Sequence, residues 1–173
     1  MLNRNFANIM LGMLSINSTG YGDNSIPLVN KNGQNVTTAS SAYAGKILNH
    51  IANSTAVKVG SVTNSGFAIG SGTTAETFDD YALANPIDDT NFSVVAASRG
   101  KNSSDQSVIL QQIWQYNGTS EIQINEIGLF ADCFGGIVAM FDRTVLDSPI
   151  TVNNGDTFTI ALTIGGKATV TVN

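Results

Sequence analysis

From Ala56 onward the chain alternates apolar and polar residues with the two-residue period of half-buried strands. Val57, Val59 and Ser61 point one way, with Lys58, Gly60 and Val62 opposite. The same texture recurs in Phe67–Gly70, Phe92–Ser98, Val108–Tyr116, Glu121–Phe130, Ile137–Phe141, Ile150–Val152, Phe158–Ile164 and Ala168–Val172. The cleanest case sets Phe158, Ile160, Leu162 and Ile164 against Thr157, Thr159, Ala161 and Thr163. Gly165-Gly166 then predicts a tight hairpin into Ala168, Val170 and Val172. Short strands separated by turn residues, with no helix long enough for repeated βαβ crossovers, predict an antiparallel β-sandwich or jelly-roll.

The N-terminal third has a different period. Phe6, Ile9, Met10, Met13 and Leu14 recur at three and four, the stripe of a short amphipathic helix, which Gly12 weakens. Such a helix either packs on its own domain or serves as an arm that docks on a neighbouring subunit. Residues 17–41 are polar, with Pro27 and an Asn32-Gly33 turn that suits a hairpin of Ile26–Lys31 with Gln34–Thr38. Tyr43–Ala52 suits a second short helix. The expected organisation is an N-terminal arm or attachment region over residues 1–55, with short helices, and a β-sandwich domain over residues 56–173. Arg4 followed by Phe6–Leu14 resembles a signal peptide, but Asn5 and Asn8 interrupt it and no small-residue cleavage site follows.

One break in the strand pattern is informative. Ile122 and Ile124 share a face, whereas Ile127 and Leu129 have the opposite parity. A bulge at Asn125-Glu126 restores the register and turns Glu126 inward. Arg143 is the only arginine in the C-terminal third, which makes it the expected partner; the alternative is two separate solvated charges.

Composition narrows the function. Charged residues make up 12%, about half the roughly 25% usual in globular domains. A surface so short of charge is poorly protected against association, and implies cover by partners or by copies of the same chain. The net charge of −5 and the absence of basic runs argue against nucleic-acid binding. No apolar stretch approaches a membrane span. A lone cysteine allows no internal disulfide and favours an intracellular origin. The many Asn-x-Ser/Thr matches follow from an Asn/Ser/Thr-rich composition.

Candidate chemistry is sparse. Gly70-Ser71-Gly72-Thr73-Thr74-Ala75 matches a degenerate dinucleotide fingerprint, yet Asn85-Pro86 leaves barely two helical turns after it and no βαβ unit. A strand end followed by a short helix over Glu76–Ala84, capped by Thr73 or Thr74, fits better. Asp79-Asp80 and Asp88-Asp89 lack the alternate spacing of a calcium loop. His50 and Cys133 are single residues without a nucleophile elbow or a zinc set. Trp114 and Tyr116 share one strand face, which suits either the core or a sugar-stacking platform. No catalytic, cofactor or metal residues are therefore assigned.

Several segments occur in a suggestive order: Ile69–Thr74, Asp79–Leu83, Asn125–Phe130, Asp142–Leu146, Pro149–Val152 and Gly155–Thr157. Together, over residues 67–164, they resemble structural proteins of tailed-bacteriophage virions, of tail-fibre-like or head-decoration-like type. The resemblance implies a β-rich virion component without a catalytic site. Its partners would be itself, as a homo-oligomer, and other virion proteins, in a particle assembled in the bacterial host cytoplasm. The alternative is a fibre module that binds host-surface glycans through Trp114 or Tyr116.

Overall fold

The computed structural model describes residues 1–14, 26–38, 66–102, 107–133 and 137–165. The expected helix Tyr43–Ala52, the strand from Ala56, the strand Ala168–Val172 and His50 lie outside these residues, as do the side chains of Met13 and Leu14. In chain order the elements are α1 (Arg4–Leu14), β1 (Ile26–Val29), β2 (Asn35–Thr38), β3 (Gly66–Gly70), β4 (Phe92–Asn102), β5 (Ser107–Tyr116), β6 (Ile122–Asp132), β7 (Val138–Val152) and β8 (Thr157–Gly165).

The fold is mainly β and antiparallel throughout. One sheet runs β3-β6-β7, a second runs β4-β5-β8, and β1-β2 is a separate hairpin. Alternate residues of the two three-stranded sheets, among them Phe67, Ile69, Ile124, Leu129, Leu110, Trp114 and Ile160, meet in one apolar core, the arrangement of a β-sandwich. Trp114 lies at its centre, its ring centroid 5.9 Å from Phe92 and 6.0 Å from Phe158.

Where β3 lies beside Gly128–Ala131 of β6 and Val138–Arg143 of β7, the first sheet is buried on both faces. Ala68, Phe130, Val138 and Met140 point away from the main core and form a second, smaller one with Leu83. Residues 71–91, which join β3 to β4, roof that second core as a strap. Double-sided burial explains why β3, Gly66-Phe67-Ala68-Ile69-Gly70, is buried at every position and shows no alternation. The helix expected over Glu76–Ala84 does not form. Asp80 accepts the Thr77 N–H at 2.9 Å and its hydroxyl at 2.8 Å, which closes a turn. The Ala84 and Asn85 N–H groups are drawn to the sheet instead of to carbonyls four residues back.

The strands expected at Ile137–Phe141 and Ile150–Val152 are the two ends of one long β7. Its ladder with β6 runs through Asp142–Val145, then skips residues 146–149, and resumes at Ile150 opposite Ile124.

Helix α1 begins where Asn3 Oδ1 accepts the Phe6 N–H at 3.3 Å, an N-cap. It is laid along the chain's own β1 and β7 and does not project as an arm. Ile9 is fully buried and Phe6 packs against the same core, together with Ile26 and Leu28. The main core therefore reaches into the described part of the first 55 residues. The residues that interrupt the apolar stripe are the ones that dock the helix. Asn5 exchanges two hydrogen bonds with Val29, both 2.8 Å, and donates a third to Met140 O at 2.9 Å. Asn8 donates to Pro27 O at 2.8 Å.

Asn5→Ala leaves the Val29 N–H and C=O without their side-chain partner in a part-buried setting. It is expected to cost about 2–4 kcal/mol, measured as a lower urea midpoint by Trp114 fluorescence.

Candidate functional site

A buried group of ionisable side chains lies beneath the strap, while the Met1 ammonium gathers Glu76 and Asp142 separately. The register shift in β6 falls between Ile124 and Glu126. One extra residue, Asn125, reverses the parity, so Ile124 and Ile127 face the main core and Glu126 faces the strap. Glu126 is 0% exposed. Both of its oxygens are saturated. Oε1 accepts the Asn85 N–H at 2.8 Å and the Gly72 N–H at 3.2 Å. Oε2 accepts the Ala84 N–H at 3.1 Å and Arg143 Nε at 2.7 Å.

Arg143, two strand positions away across the β6–β7 ladder, is likewise buried. Its Nη1 donates to Asp80 Oδ2 at 2.8 Å, and its Nη2 to Thr74 O at 2.9 Å. The strap is thus held from below by an anion that takes its N–H groups and a cation that takes its carbonyl and its Asp80 carboxylate. The glycines of the 70–75 motif serve this contact. A methyl group on Gly70 would come within 2.7 Å of Asn85 O, and one on Gly72 within 2.5 Å of Glu126 Oε1. Neither glycine has a positive φ, so they are needed for space, not for an unusual backbone conformation.

Burial alone would raise the Glu126 pKa; hydrogen bonds from the Asn85 N–H, Arg143 and the Ala84 N–H outweigh it and hold the carboxyl below its ordinary value. Asp80 is also lowered: against burial stand the Thr77 N–H, Arg143 and the Thr77 hydroxyl. For Arg143 burial opposes the charge, and Asp80 and Glu126 together raise its pKa. All three groups are charged at neutral pH, and the carboxylate has no free lone pair with which to take a substrate proton.

The other candidates are dispersed. Trp114 and Tyr116 share a face, but it is the inward one: they are 0% and 4% exposed. Packing with Phe92 and Phe158 leaves no ring face for a sugar, so the stacking platform is ruled out at these two residues. The Tyr116 hydroxyl donates to Ser120 O at 2.7 Å and closes the turn after β5. Asp79 pairs with Arg4, Asp80 with Arg143, and Asp88 accepts the Thr90 N–H at 2.8 Å, so neither acidic pair acts as a unit. Among the described residues no group of three or more His, Cys, Asp or Glu side chains is placed to hold a metal. Cys133 is buried; burial first, then Asp132, pushes its thiol up to about 12, which keeps it protonated and unreactive. Among the described residues no helix is long and apolar enough to cross a membrane.

Comparison with protein-family models, curated proteins and solved structures finds no match. The likeness to tailed-phage proteins therefore stands on its quoted segments alone.

Glu126→Gln replaces one carboxylate oxygen with an amide that must face an N–H donor, and it leaves Arg143 short of an anion. The expected cost is about 3–5 kcal/mol, and an unchanged melting temperature would show that the pair carries no weight. Buried ion pairs can often be exchanged for apolar residues without loss. Here Glu126→Leu with Arg143→Leu is expected to stay destabilised, because the Gly72, Ala84 and Asn85 N–H groups lose their acceptor; chemical denaturation of the double variant measures this.

The depressed pKa values of Glu126 and Asp80 mean that both carboxyls bind protons more tightly in the unfolded chain. Their contribution to stability is complete above the unfolded values near about 4 and is lost as pH falls through the lower folded values. Melting temperature is expected to drop below that pH, with a shallower slope in Glu126→Gln.

Proposed function

We propose that the chain is a non-enzymatic structural component of a tailed-phage virion: a self-associating β-sandwich module docked on capsid or tail through its N-terminal region. One observation carries the reading. Four of the six segments that resemble virion structural proteins, Ile69–Thr74, Asp79–Leu83, Asn125–Phe130 and Asp142–Leu146, are far apart in sequence yet meet at the strap and its lock. Gly70 and Gly72 make room for Glu126, Asp80 and Thr74 hold Arg143, and Leu83 packs with Phe130. In these four segments the likeness thus falls on residues that set the architecture.

The low charge content supports assembly for a separate reason, since burial of uncharged surface between protein copies avoids the larger desolvation cost of ionised groups. Phe6 and Ile9 of the α1 stripe are not the docking element in this reading. Ile9 and Phe6 are engaged in the chain's own core, and attachment falls to other residues of the N-terminal region.

Mass spectrometry and electron microscopy of purified particles from a host that produces the chain test the reading. The protein is expected in the particle at a fixed copy number and at one location. A stable monomer that never co-purifies with particles would overturn it.

A further inference from the structure

The two sheets differ in what covers their outward faces. The strap roofs the first sheet. On the second sheet, the outward ladder positions of the flanking strands are exposed, including Ser98 on β4 and Thr159, Ala161 and Thr163 on β8. Gln111 and Ile113 of β5 lie between them in register, and the Ser98 hydroxyl reaches Gln111 Oε1 at 3.4 Å. β5 and β8 contain no charged residue, and the β4 positions opposite Gln111 and Ile113 are Ser98 and Ala96.

From this neutral plate we infer a self-association surface, on which a second copy of the same chain docks face to face. The inference rests on the assembly reading above and names the surface it uses. Two copies each carry a net charge of −5. Contacts through their acidic loops would set carboxylates against carboxylates, whereas the plate brings together surfaces without charge. Its small and β-branched side chains allow two sheets to stack at the usual spacing of about 10 Å. A face used twice makes an isologous, two-fold contact.

Strands of this length, three abreast, give a plate of roughly 30 by 14 Å, on the order of 400 Å² per copy. Stable complexes bury about 800 Å² per partner. A single contact is therefore weak and reversible, and is suited to reinforcement by others within a particle.

Sedimentation equilibrium of the full chain up to about 0.5 mM tests this. The wild type is expected to dimerise, and more tightly in 1 M NaCl, because salt screens the repulsion between acidic copies. Thr159→Glu and Ala161→Glu are each expected to raise the dimer dissociation constant at least tenfold. Gln123→Glu, which adds the same charge at an exposed position of the first sheet, is expected to leave it within twofold. If a glutamate variant loses the native Trp114 fluorescence, Thr159→Cys with a bis-maleimide of about 10 Å span replaces it, and a covalent dimer is expected.

A wild-type monomer at every concentration overturns the inference, as does dimerisation that both glutamates leave unchanged. In the second case the virion reading stands and the contact lies elsewhere. A monomer that is also missing from particles overturns both.

Discussion

A carboxylate sealed from water must be surrounded by donors, and Glu126 has four, three from the strap and one from Arg143. Desolvation of such a group costs several kcal/mol, and is recovered only when every partner is in place. The strap is therefore fixed in one geometry. Its position in turn holds Leu83 over Ala68, Phe130, Val138 and Met140, so the lock and the cover of the second core are one arrangement. Arg143 carries the same constraint to Asp80. The Asp80 carbonyl accepts from Asn3, which also donates to Met140 O, so the start of α1 is tied to the strap and to β7 together.

Amide side chains do elsewhere what charges do at the lock. Asn5 and Asn8 supply the hydrogen bonds that a neighbouring strand would have given β1, and so close one edge of the hairpin with a helix. The first sheet is closed in a similar way. Residues 85–87 bond along β3, and the Met1–Asn3 backbone runs beside β7 at Phe141 and Arg143. A chain with few charges can satisfy its buried backbone this way without the cost of ionic groups. The resulting asymmetry leaves the strap-covered part of the first sheet enclosed and the outward ladder positions on the flanking strands of the second sheet exposed.

Much of this was legible in the sequence because it depends on local period. The alternation in Phe158–Ile164 and Val108–Tyr116 located β8 and β5 to within about two residues, and the parity break at Asn125-Glu126 located the bulge and the inward carboxylate. What could not be read depends on partners far along the chain. Glu76–Ala84 has the composition of a short helix; only Glu126, about forty residues on, makes it a strap. Gly70 and Gly72 read as a strand end because nothing local says that a carboxylate passes beside them. A shared face for Trp114 and Tyr116 was evident, but which face of that strand is inward depends on the opposing sheet. The stripe of α1 marked a helix, and its destination was set by asparagines that had counted only as interruptions.

The lock also limits where function can reside. A general base needs a free lone pair, and Glu126 has all of its own occupied; an activated thiol needs a lowered pKa, and Cys133 has the reverse. The groups best equipped for chemistry among the described residues are committed to holding the strap or are packed away. What remains for recognition is surface, and much of that surface is Ser, Thr, Ala, Gln and Asn. Such surfaces offer little long-range attraction and few strong single contacts, so they gain affinity by area and by repetition. On the assembly reading proposed above, an encounter between isolated copies is weak and many copies in a fixed array bind strongly, the dependence on copy number expected of a part held firmly only within an assembly.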